Sequence, residues 1–150
     1  GFFHDGAHQI DDVAADMIGF QSAQRACAQA YAQAGISAAD INLAELYAPC
    51  TIVEVLASEA AGLVPRGRGA FAAAEGLTRL GGPMPLSTSG GFTSRGHPAY
   101  VTALYSYVEM AEQLRGRAGD RQVQGAQFGL VTGELGNYNA ALVHVLEGKS

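Results

Sequence analysis

The amino-acid sequence predicts an α/β layered domain with a mostly parallel sheet. Short apolar segments alternate along the chain with segments whose apolar residues recur every three or four positions, which is typical of alternating strands and helices. The 150 residues correspond to about one domain. Hydrophobic residues make up 48% of the chain and charged residues 15%, and this balance favours a packed interior over a disordered chain.

The first part of the chain predicts a helix followed by a strand. Apolar residues at three- and four-residue spacing indicate a helix over 16–34, and Gly35 follows as its C-cap. The apolar run 41–47 suits a buried strand, which ends before Pro49 because proline lacks the N–H that a strand interior needs.

A second helix is predicted next, over about 52–61. We expect Thr51 to cap it, with Glu54 at the capping-box position three residues later. Residues 64–84 are rich in glycine and proline and predict a loop with one short helical turn near 71–75.

The last part of the chain predicts a helix and a pair of strands. Residues 85–88 suit a brief strand, and a third helix is expected from Pro98 to Leu114 because proline fits the first turn of a helix. The apolar segments 126–132 and 140–146 predict an antiparallel hairpin or two adjacent strands.

Composition excludes several function classes. The net charge of −5 argues against nucleic-acid binding, which needs clustered Lys and Arg. The cysteines, Cys27 and Cys50, form neither a metal-binding pattern nor a disulfide framework, and we expect no metal. No apolar run approaches the ~20 residues that span a bilayer, and no signal-peptide pattern opens the chain, so we expect a cytoplasmic protein. Residues 1–4 look like the end of a strand, which suggests a fragment or one piece of a split protein.

The segment 87–98 is the strongest candidate for a functional loop. It contains two adjacent glycines, a third glycine and His97 in front of Pro98. Such a run is poor material for a helix or strand interior but lets the backbone approach a ligand closely. Imidazole titrates near physiological pH, so His97 is a candidate acid or base. The alternative is a surface turn with an incidental histidine.

Three further side chains are candidates for the same chemistry. Tyr47 follows a strand and precedes a helix, where its hydroxyl could donate to an oxyanion or shuttle a proton; the alternative is a half-buried aromatic with a solvated hydroxyl. Tyr100 comes three residues after His97. Glu134 is expected in a tight turn between two strands, either as a general base or as a solvated turn residue.

Cys50 is a weaker candidate nucleophile. It lies in a strand-to-helix connection, where a helix N-terminus lowers the pKa of a thiol. Tyr105 and Tyr107 are expected to be packing residues, and the sequence contains no P-loop, dinucleotide fingerprint or metal-binding histidine pair.

Four segments, spread over about residues 16–146, form a specific combination. They are Met17-Ile-Gly-Phe with Ala-Tyr31-Ala-Gln-Ala-Gly35-Ile-Ser, Asp40-Ile-Asn-Leu-Ala-Glu45-Leu, Ser89-Gly-Gly with Ser94-Arg-Gly-His97-Pro98, and Gln113-Leu-Arg-Gly with Arg121-Gln-Val123. Together they resemble the C-terminal half of thiolases, most closely the sterol-carrier or lipid-transfer type.

The resemblance implies a thiolase-like half with a layered, mixed five-stranded sheet and helices on both faces. Residues 1–150 would be the C-terminal domain, without its start and without the N-terminal half that carries the nucleophilic cysteine. His97 matches the family's Gly-His-Pro histidine, which activates that cysteine. The resemblance also implies a coenzyme A thioester as substrate and no covalently bound cofactor. The loop residues implied to receive its pantetheine arm are Ser89, Gly90, Gly91 and Gly96.

Departures from the thiolase pattern weaken the case for an ordinary Claisen condensation. Tyr47 stands where thiolases carry Asn or His, Glu134 matches the position of a second cysteine in many of them, and Tyr100 replaces a glycine. Tyrosines at these positions resemble the thiolase-fold steroid side-chain aldolases, which cleave a β-hydroxyacyl-CoA and work with a small OB-fold partner.

The sequence therefore predicts a thiolase-like subunit that acts on C–C bonds of acyl-CoA, by thiolysis or acyl transfer or by retro-aldol cleavage. We expect it to be inactive alone, to be completed by an N-terminal thiolase half and to form a homo- or hetero-oligomer. The alternatives are a non-catalytic module that binds acyl-CoA or lipid, and a structural partner subunit.

Overall fold

A computed structural model of the chain describes residues 2–4, 19–98, 101–135 and 140–148. Its strands are β1 (Phe2–His4), β2 (Leu43–Glu45), β3 (Phe128–Leu135) and β4 (Ala140–Glu147). Its α-helices are α1 (Gln21–Ala34), α2 (Thr51–Ala60), α3 (Gly69–Ala74), α4 (Gly91–Arg95) and α5 (Thr102–Leu114). The order along the chain is β1, α1, β2, α2, α3, α4, α5, β3, β4, an α/β arrangement as predicted.

The strands form one mixed sheet in the spatial order β1–β4–β3–β2. β2 runs parallel to β3, whereas β3 and β4 form the predicted antiparallel hairpin and β1 is antiparallel to β4. The expectation of a mostly parallel sheet is therefore wrong, because the C-terminal hairpin and β1 contribute antiparallel pairs.

The sheet has four strands in the described residues rather than the five expected. The predicted strand over 85–88 is reduced to one parallel bridge between Leu86 and Ala44. Pro85 has no N–H to donate, and Ser87 takes a positive φ of 48° that turns the chain away. The segment therefore leaves the sheet after a single paired residue.

Helices cover both faces of the sheet, as predicted. Adjacent strand residues point to opposite faces, so Ala44 and Leu130 pack beneath α1 and α2, while Leu43 and Val131 pack against α5. The face that α1 presents to the sheet is built of small side chains, which lets the helix axis approach closely. These buried α1 residues are Ser22, Ala23, Ala26, Cys27 and Ala30.

The first two helices differ in detail from the sequence prediction. Within the described residues α1 begins at Gln21, after Phe20 in a left-handed conformation. Gly35, with φ 70°, is its C-cap as expected. Positions 16–18 of the predicted helix lie outside the described residues. The N-cap of α2 is Cys50 and not Thr51, and no side chain caps this helix. Glu54 forms no capping box, because its carboxylate accepts a hydrogen bond from Ser87 Oγ at 2.5 Å.

The segment that follows β2 contains two further corrections. The glycine-rich loop 87–98 is interrupted by α4, whose N-cap Gly90 has φ 84°. The third long helix, α5, begins at Thr102 and not at Pro98. His97, which precedes Pro98, favours extended backbone for that reason. The position of α5 is instead fixed by its buried polar face.

Candidate functional site

The structure brings Tyr47 and His97 together, although they are fifty positions apart in the sequence. The Tyr47 Oη atom lies 2.6 Å from His97 Nε2, a hydrogen-bonding distance. Tyr47 follows the carboxyl end of β2, and its backbone N–H donates to Thr132 Oγ1 at 2.8 Å, which ties it to the neighbouring strand β3. His97 follows α4 and is exposed. The two side chains form a phenol–imidazole pair at the end of the sheet.

Phe92 of α4 supports this pair from beneath. Its ring is 8% exposed and meets the Tyr47 ring edge-on, with 4.8 Å between centroids. The His97 ring lies 5.0 Å from the Phe92 centroid and 5.7 Å from that of Tyr47. The three rings form a cluster with an apolar floor and an accessible imidazole, which limits how far either polar ring can turn.

Glu134 lies in β3, paired with Ala141, and not in the predicted turn. It is half-buried, and its charge reaches Tyr47. Burial raises the pKa of the Tyr47 phenol, and the nearby Glu134 carboxylate raises that pKa further. Tyr47 therefore keeps its proton at neutral pH. Tyr100, the fourth predicted catalytic residue, lies outside the described residues.

The predicted coenzyme-binding residues occupy two different environments. Gly90 and Gly96 are exposed and have φ values of 84° and 78°, which only glycine adopts without strain. Gly91 begins α4 with φ 57°. The Ser89 hydroxyl is engaged within the protein: it donates to Glu45 Oε2 at 2.9 Å and accepts from Arg95 Nη1 at 2.7 Å.

Cys50 and Phe92 both line a cavity of about 160 Å³. The cavity is bounded also by the N-terminal residues of α2 and by Gly90 and Gly91, so it opens beside the ring cluster. Cys50 is exposed, whereas Cys27 is buried between α1 and the sheet, where desolvation raises the pKa of its thiol to about 12. A protonated, buried Cys27 is an inert core residue.

A buried polar network beneath the loop was not foreseen from the sequence. Thr88 Oγ1 lies 3.1 Å from Oε1 of both Glu45 and Glu109, which are 1% and 6% exposed. Arg121 binds the Glu109 carboxylate through two hydrogen bonds of 2.9 and 3.2 Å, and Gln113 donates to Thr88 and to Glu109. The sequence signal for this network was Glu45, a charged residue inside the apolar run 41–47, because a buried charge requires hydrogen-bonding partners.

The two carboxyl groups of this network have opposite pKa shifts. Burial raises the pKa of Glu45, and the hydrogen bonds from Ser89 offset that rise only in part. Burial also acts on Glu109, but hydrogen bonds from Arg121, Gln113 and Thr88 outweigh it and lower the pKa of this carboxyl.

A second tyrosine–histidine pair lies away from the site. The Tyr107 hydroxyl contacts His144 Nδ1, and the Tyr107 ring packs against the core between α5 and the sheet, consistent with its predicted packing role. Burial lowers the pKa of His144. Tyr105 is instead 47% exposed, with the Arg95 guanidinium 5.6 Å from its ring centroid, so it is not an internal packing residue.

The part of the chain that the structure describes contains neither a group of metal ligands nor a helix suited to cross a membrane. There, no three side chains of the His, Cys, Asp or Glu type converge as metal ligands would. Over the same residues, none of the helices has both the length and the apolar character needed to cross a bilayer.

Comparison with known proteins identifies the family. Residues 5–148, nearly the whole chain, match the family model described as thiolase C-terminal domain-like. The chain belongs to the thiolase C-terminal domain-like family. The predicted resemblance is thereby confirmed, and Tyr47 and His97 lie in a thiolase-like domain.

Relatives of this thiolase-like domain have several roles. It is 36% identical over 130 residues to an acetyl-CoA acetyltransferase of Methanothermobacter thermautotrophicus, covering 87% of the chain and 34% of the relative. It is 40% identical over 114 residues to human sterol carrier protein 2, covering 76% and 21%. The solved structure of an aldolase, Ltp2-ChsH2(DUF35), superposes with a TM-score of 0.71 at 27% identity, over 85% of this chain and 32% of that one. The chain thus spans about a third or less of these proteins.

Proposed function

We propose that this chain supplies the acid–base half of an active site that breaks or forms a C–C bond next to a coenzyme A thioester. The observation that carries the proposal is the 2.6 Å contact between Tyr47 Oη and His97 Nε2 at the carboxyl end of β2. Support comes from the thiolase-like family and from relatives whose names refer to acetyl-CoA transfer and to an aldolase.

The resting state follows from the two side chains. In the proposed resting state the Tyr47 phenol carries its proton and donates to Nε2 of His97. Imidazole is a base that works near neutral pH, and the phenol extends its reach by one hydrogen bond. Burial and, to a smaller extent, the Glu134 carboxylate raise the pKa of this phenol.

In the proposed retro-aldol reaction, the substrate is a β-hydroxyacyl-CoA. Tyr47 takes the proton of the β-hydroxyl while passing its own proton to His97 Nε2. The bond between the α- and β-carbons breaks, a carbonyl forms at the β-carbon, and the electron pair becomes the enolate of the thioester. The imidazolium then returns the proton through Tyr47 to the α-carbon, which releases the shortened acyl-CoA and restores the pair. No oxidant or acyl-enzyme is needed.

Thiolysis or acyl transfer is the competing reaction of the same site. In that case His97 would deprotonate a cysteine thiol from the N-terminal half, and Tyr47 would donate to the developing oxyanion. The tyrosine at position 47 and the aldolase neighbour favour the retro-aldol reaction. Gly90, Gly91 and Gly96 would let the pantetheine arm approach the backbone, and Tyr100 remains a proposed catalytic residue.

We also propose that an N-terminal thiolase half completes the domain. The outer surface of α5 carries an apolar stripe formed by Val101, Leu104 and Val108, which are 45%, 60% and 61% exposed. The relatives contain two thirds or more of their length beyond the matched part. The N-terminal half would cover the apolar stripe and contribute the acyl pocket. A small OB-fold protein is a further proposed partner.

The test uses the complete assembly, supplied with β-hydroxyacyl-CoA or with 3-ketoacyl-CoA and coenzyme A. The readout is the released aldehyde or ketone against the thiolytic product. We expect His97→Ala to lower turnover about 10²–10⁴-fold. Tyr47→Phe, which keeps the ring and removes the hydroxyl, should lower retro-aldol turnover strongly. Tyr107→Phe makes the same change in the other tyrosine–histidine pair and should leave turnover unchanged.

The outcomes separate the alternatives. Unchanged turnover in His97→Ala would remove this residue from the mechanism. Calorimetric binding of coenzyme A esters without any product indicates a non-catalytic acyl-CoA or lipid module. Full activity of the N-terminal half without this chain would count against a structural partner that stabilises a neighbouring catalytic chain, and against a catalytic role as well.

A further inference from the structure

Glu45 connects the strand that carries Tyr47 to the loop that carries His97. It ends β2, two residues before Tyr47. Its carboxylate accepts hydrogen bonds from the Ser89 N–H at 3.2 Å and the Ser89 hydroxyl at 2.9 Å, and it lies 3.1 Å from Thr88 Oγ1. A single buried side chain thereby holds the start of the loop onto the sheet.

Arg95 fastens the other end of that loop. It ends α4, two residues before His97. Its Nη1 atom donates to Ser89 Oγ at 2.7 Å, and its Nη2 atom donates to Ser106 Oγ of α5 at 3.1 Å and lies 3.7 Å from Glu45 Oε2. Ser89 thus bridges the pair, because its hydroxyl donates to Glu45 and accepts from Arg95.

We infer that Glu45 and Arg95 are positioning residues that set the separation between the Tyr47 hydroxyl and the His97 imidazole. The inference rests on the proposed function, in which this separation governs proton transfer. Only Gly96 lies between Arg95 and His97, and its backbone (φ 78°, ψ −179°) is one that glycine alone enters freely. The other described contacts at this exit are the Gly96 N–H bond to the Phe92 carbonyl at 2.9 Å and the ring contacts of His97 with Phe92 and Tyr47, and the guanidinium is the one that ties the exit to both β2 and α5.

The expected consequence is loss of rate without loss of substrate affinity. Displacement of a reacting group by about 1 Å costs on the order of 10²-fold in rate. The contact to preserve here is 2.6 Å long and joins two rings on separate segments. Substrate contacts made by other residues would remain, so kcat should fall while KM changes little.

The neighbouring Glu109–Arg121 pair supplies a matched control. It has a shorter ion-pair distance, 2.9 Å, and belongs to the same network through Thr88. Arg121 binds Glu109 of α5 and touches neither the segment of Tyr47 nor that of His97 in the described contacts. Its removal perturbs the network but leaves the anchor of the loop in place.

The experiment compares Arg95→Met and Glu45→Gln with Arg121→Met. Each complete assembly is assayed with β-hydroxyacyl-CoA, and each chain, ¹⁵N-labelled at histidine, is examined by NMR for the tautomer of His97. With Tyr47 donating to Nε2, the wild-type imidazole carries its proton on Nδ1. We expect Arg95→Met and Glu45→Gln to shift His97 toward the tautomer mixture of Tyr47→Phe and to lower kcat about 10–100-fold at similar KM. Arg121→Met should do neither.

His144 serves as an internal reference, since its contact with Tyr107 lies outside the loop. A wild-type His97 signal in folded Arg95→Met and Glu45→Gln overturns the inference. If Arg95→Met does not fold, Arg95→Lys replaces it, because lysine keeps the charge but cannot bridge Ser89 and Ser106 together. A wild-type His97 signal in Arg95→Lys would then count equally against the inference. If the wild-type assembly cleaves no C–C bond, the proposed function fails. The tautomer measurement still decides whether Glu45 and Arg95 position His97.

Discussion

At the scale of single residues, the site depends on how two weak acid–base groups modify each other. A solvated tyrosine is a poor proton shuttle because its phenol is a very weak acid. Next to His97 Nε2, the Tyr47 hydroxyl has an acceptor at 2.6 Å, and the Phe92 ring beneath both groups restrains them. The Glu134 charge acts on Tyr47 and raises the pKa of its phenol.

The influence of Glu134 can be measured directly. Glu134→Gln removes a negative charge that opposes the phenolate, so the pKa of Tyr47 should fall. It should stay above the ordinary tyrosine value, because burial is the larger cause of the rise. The readout is the tyrosinate absorbance titrated with pH, with Tyr47→Phe identifying the contribution of this residue. Identical titration curves for the wild type and Glu134→Gln would contradict the assignment.

Glycine at position 90 is a second residue-scale determinant. It has φ 84°, and a Cβ placed there would lie 2.7 Å from Ser94 Cβ. We expect Gly90→Ala to destabilise the chain by about 1–3 kcal/mol and to displace α4. Gly125→Ala, at φ 70° but with open space around it, is the control for backbone strain alone. If urea denaturation shows that both variants lose the same free energy of unfolding, a packing role for Gly90 is ruled out.

At the scale of elements, helix α5 has an unusual inner face. Its buried residues include Thr102, Ser106, Glu109 and Gln113, with Met110 as the apolar member that packs against the sheet. A face of this kind is stable only if its polar groups are paired, and the network with Arg121 and the loop supplies those partners. The helix therefore supports the loop by hydrogen bonding more than by apolar contact.

This arrangement predicts a particular loss of stability in acid. The pKa of Glu109 is lowered in the fold, so between that pKa and the unfolded value of 4.5 the unfolded chain binds more protons. The stability that Glu109 contributes is present above pH 4.5 and is lost as the pH falls through the folded pKa. Glu45 acts with the opposite sign, because its pKa is raised.

In Glu109→Gln, the decrease in urea midpoint between pH 6 and about pH 3.5 should be smaller than in the wild type. Arg121→Met removes the same contact from the other side and should flatten the pH profile likewise. Parallel profiles for the wild type and both variants would show that this ion pair does not control acid stability.

The sequence contained most of the elements but few of the contacts between them. Tyr47 and His97 were each recognisable, because both follow predicted strands or glycine loops. Their contact was not, since it depends on how the loop folds back over β2. The start of α5 was misplaced because local proline chemistry suggested Pro98, whereas tertiary hydrogen bonding of its inner face fixes the helix from Thr102.

At the scale of the whole molecule, the two sides of α5 have different tasks. The inner side is polar and paired, while the apolar stripe of Val101, Leu104 and Val108 faces outward. Three large apolar side chains at three- and four-residue spacing form the kind of surface that a partner covers. Val101 follows His97 by four positions in the sequence, so a partner on the stripe is expected to approach the loop that carries His97.

Substitution within the apolar stripe should therefore affect association more than folding. We expect Leu104→Asp to reduce oligomer or heteromer formation at least 10-fold, measured by sedimentation velocity, with little change in the circular dichroism spectrum. Ile52→Asp, which alters a side chain of similar exposure on α2, is the control. A wild-type chain that stays strictly monomeric at high concentration with the proposed partner present would contradict this prediction.

The spatial order of the strands also has a consequence for how the chain folds. Among the described strands, only β3 and β4 are both paired and consecutive in the chain. In the β1–β4 pair Phe2 stands opposite Leu142, and in the β2–β3 pair Leu43 stands opposite Gly129. Closing such long loops costs entropy that is recovered only after the central pair exists, so the outer strands should join last. During synthesis on the ribosome, β2 must wait for β3, and the bond from the Tyr47 N–H to Thr132 Oγ1 therefore forms late in the assembly of the domain.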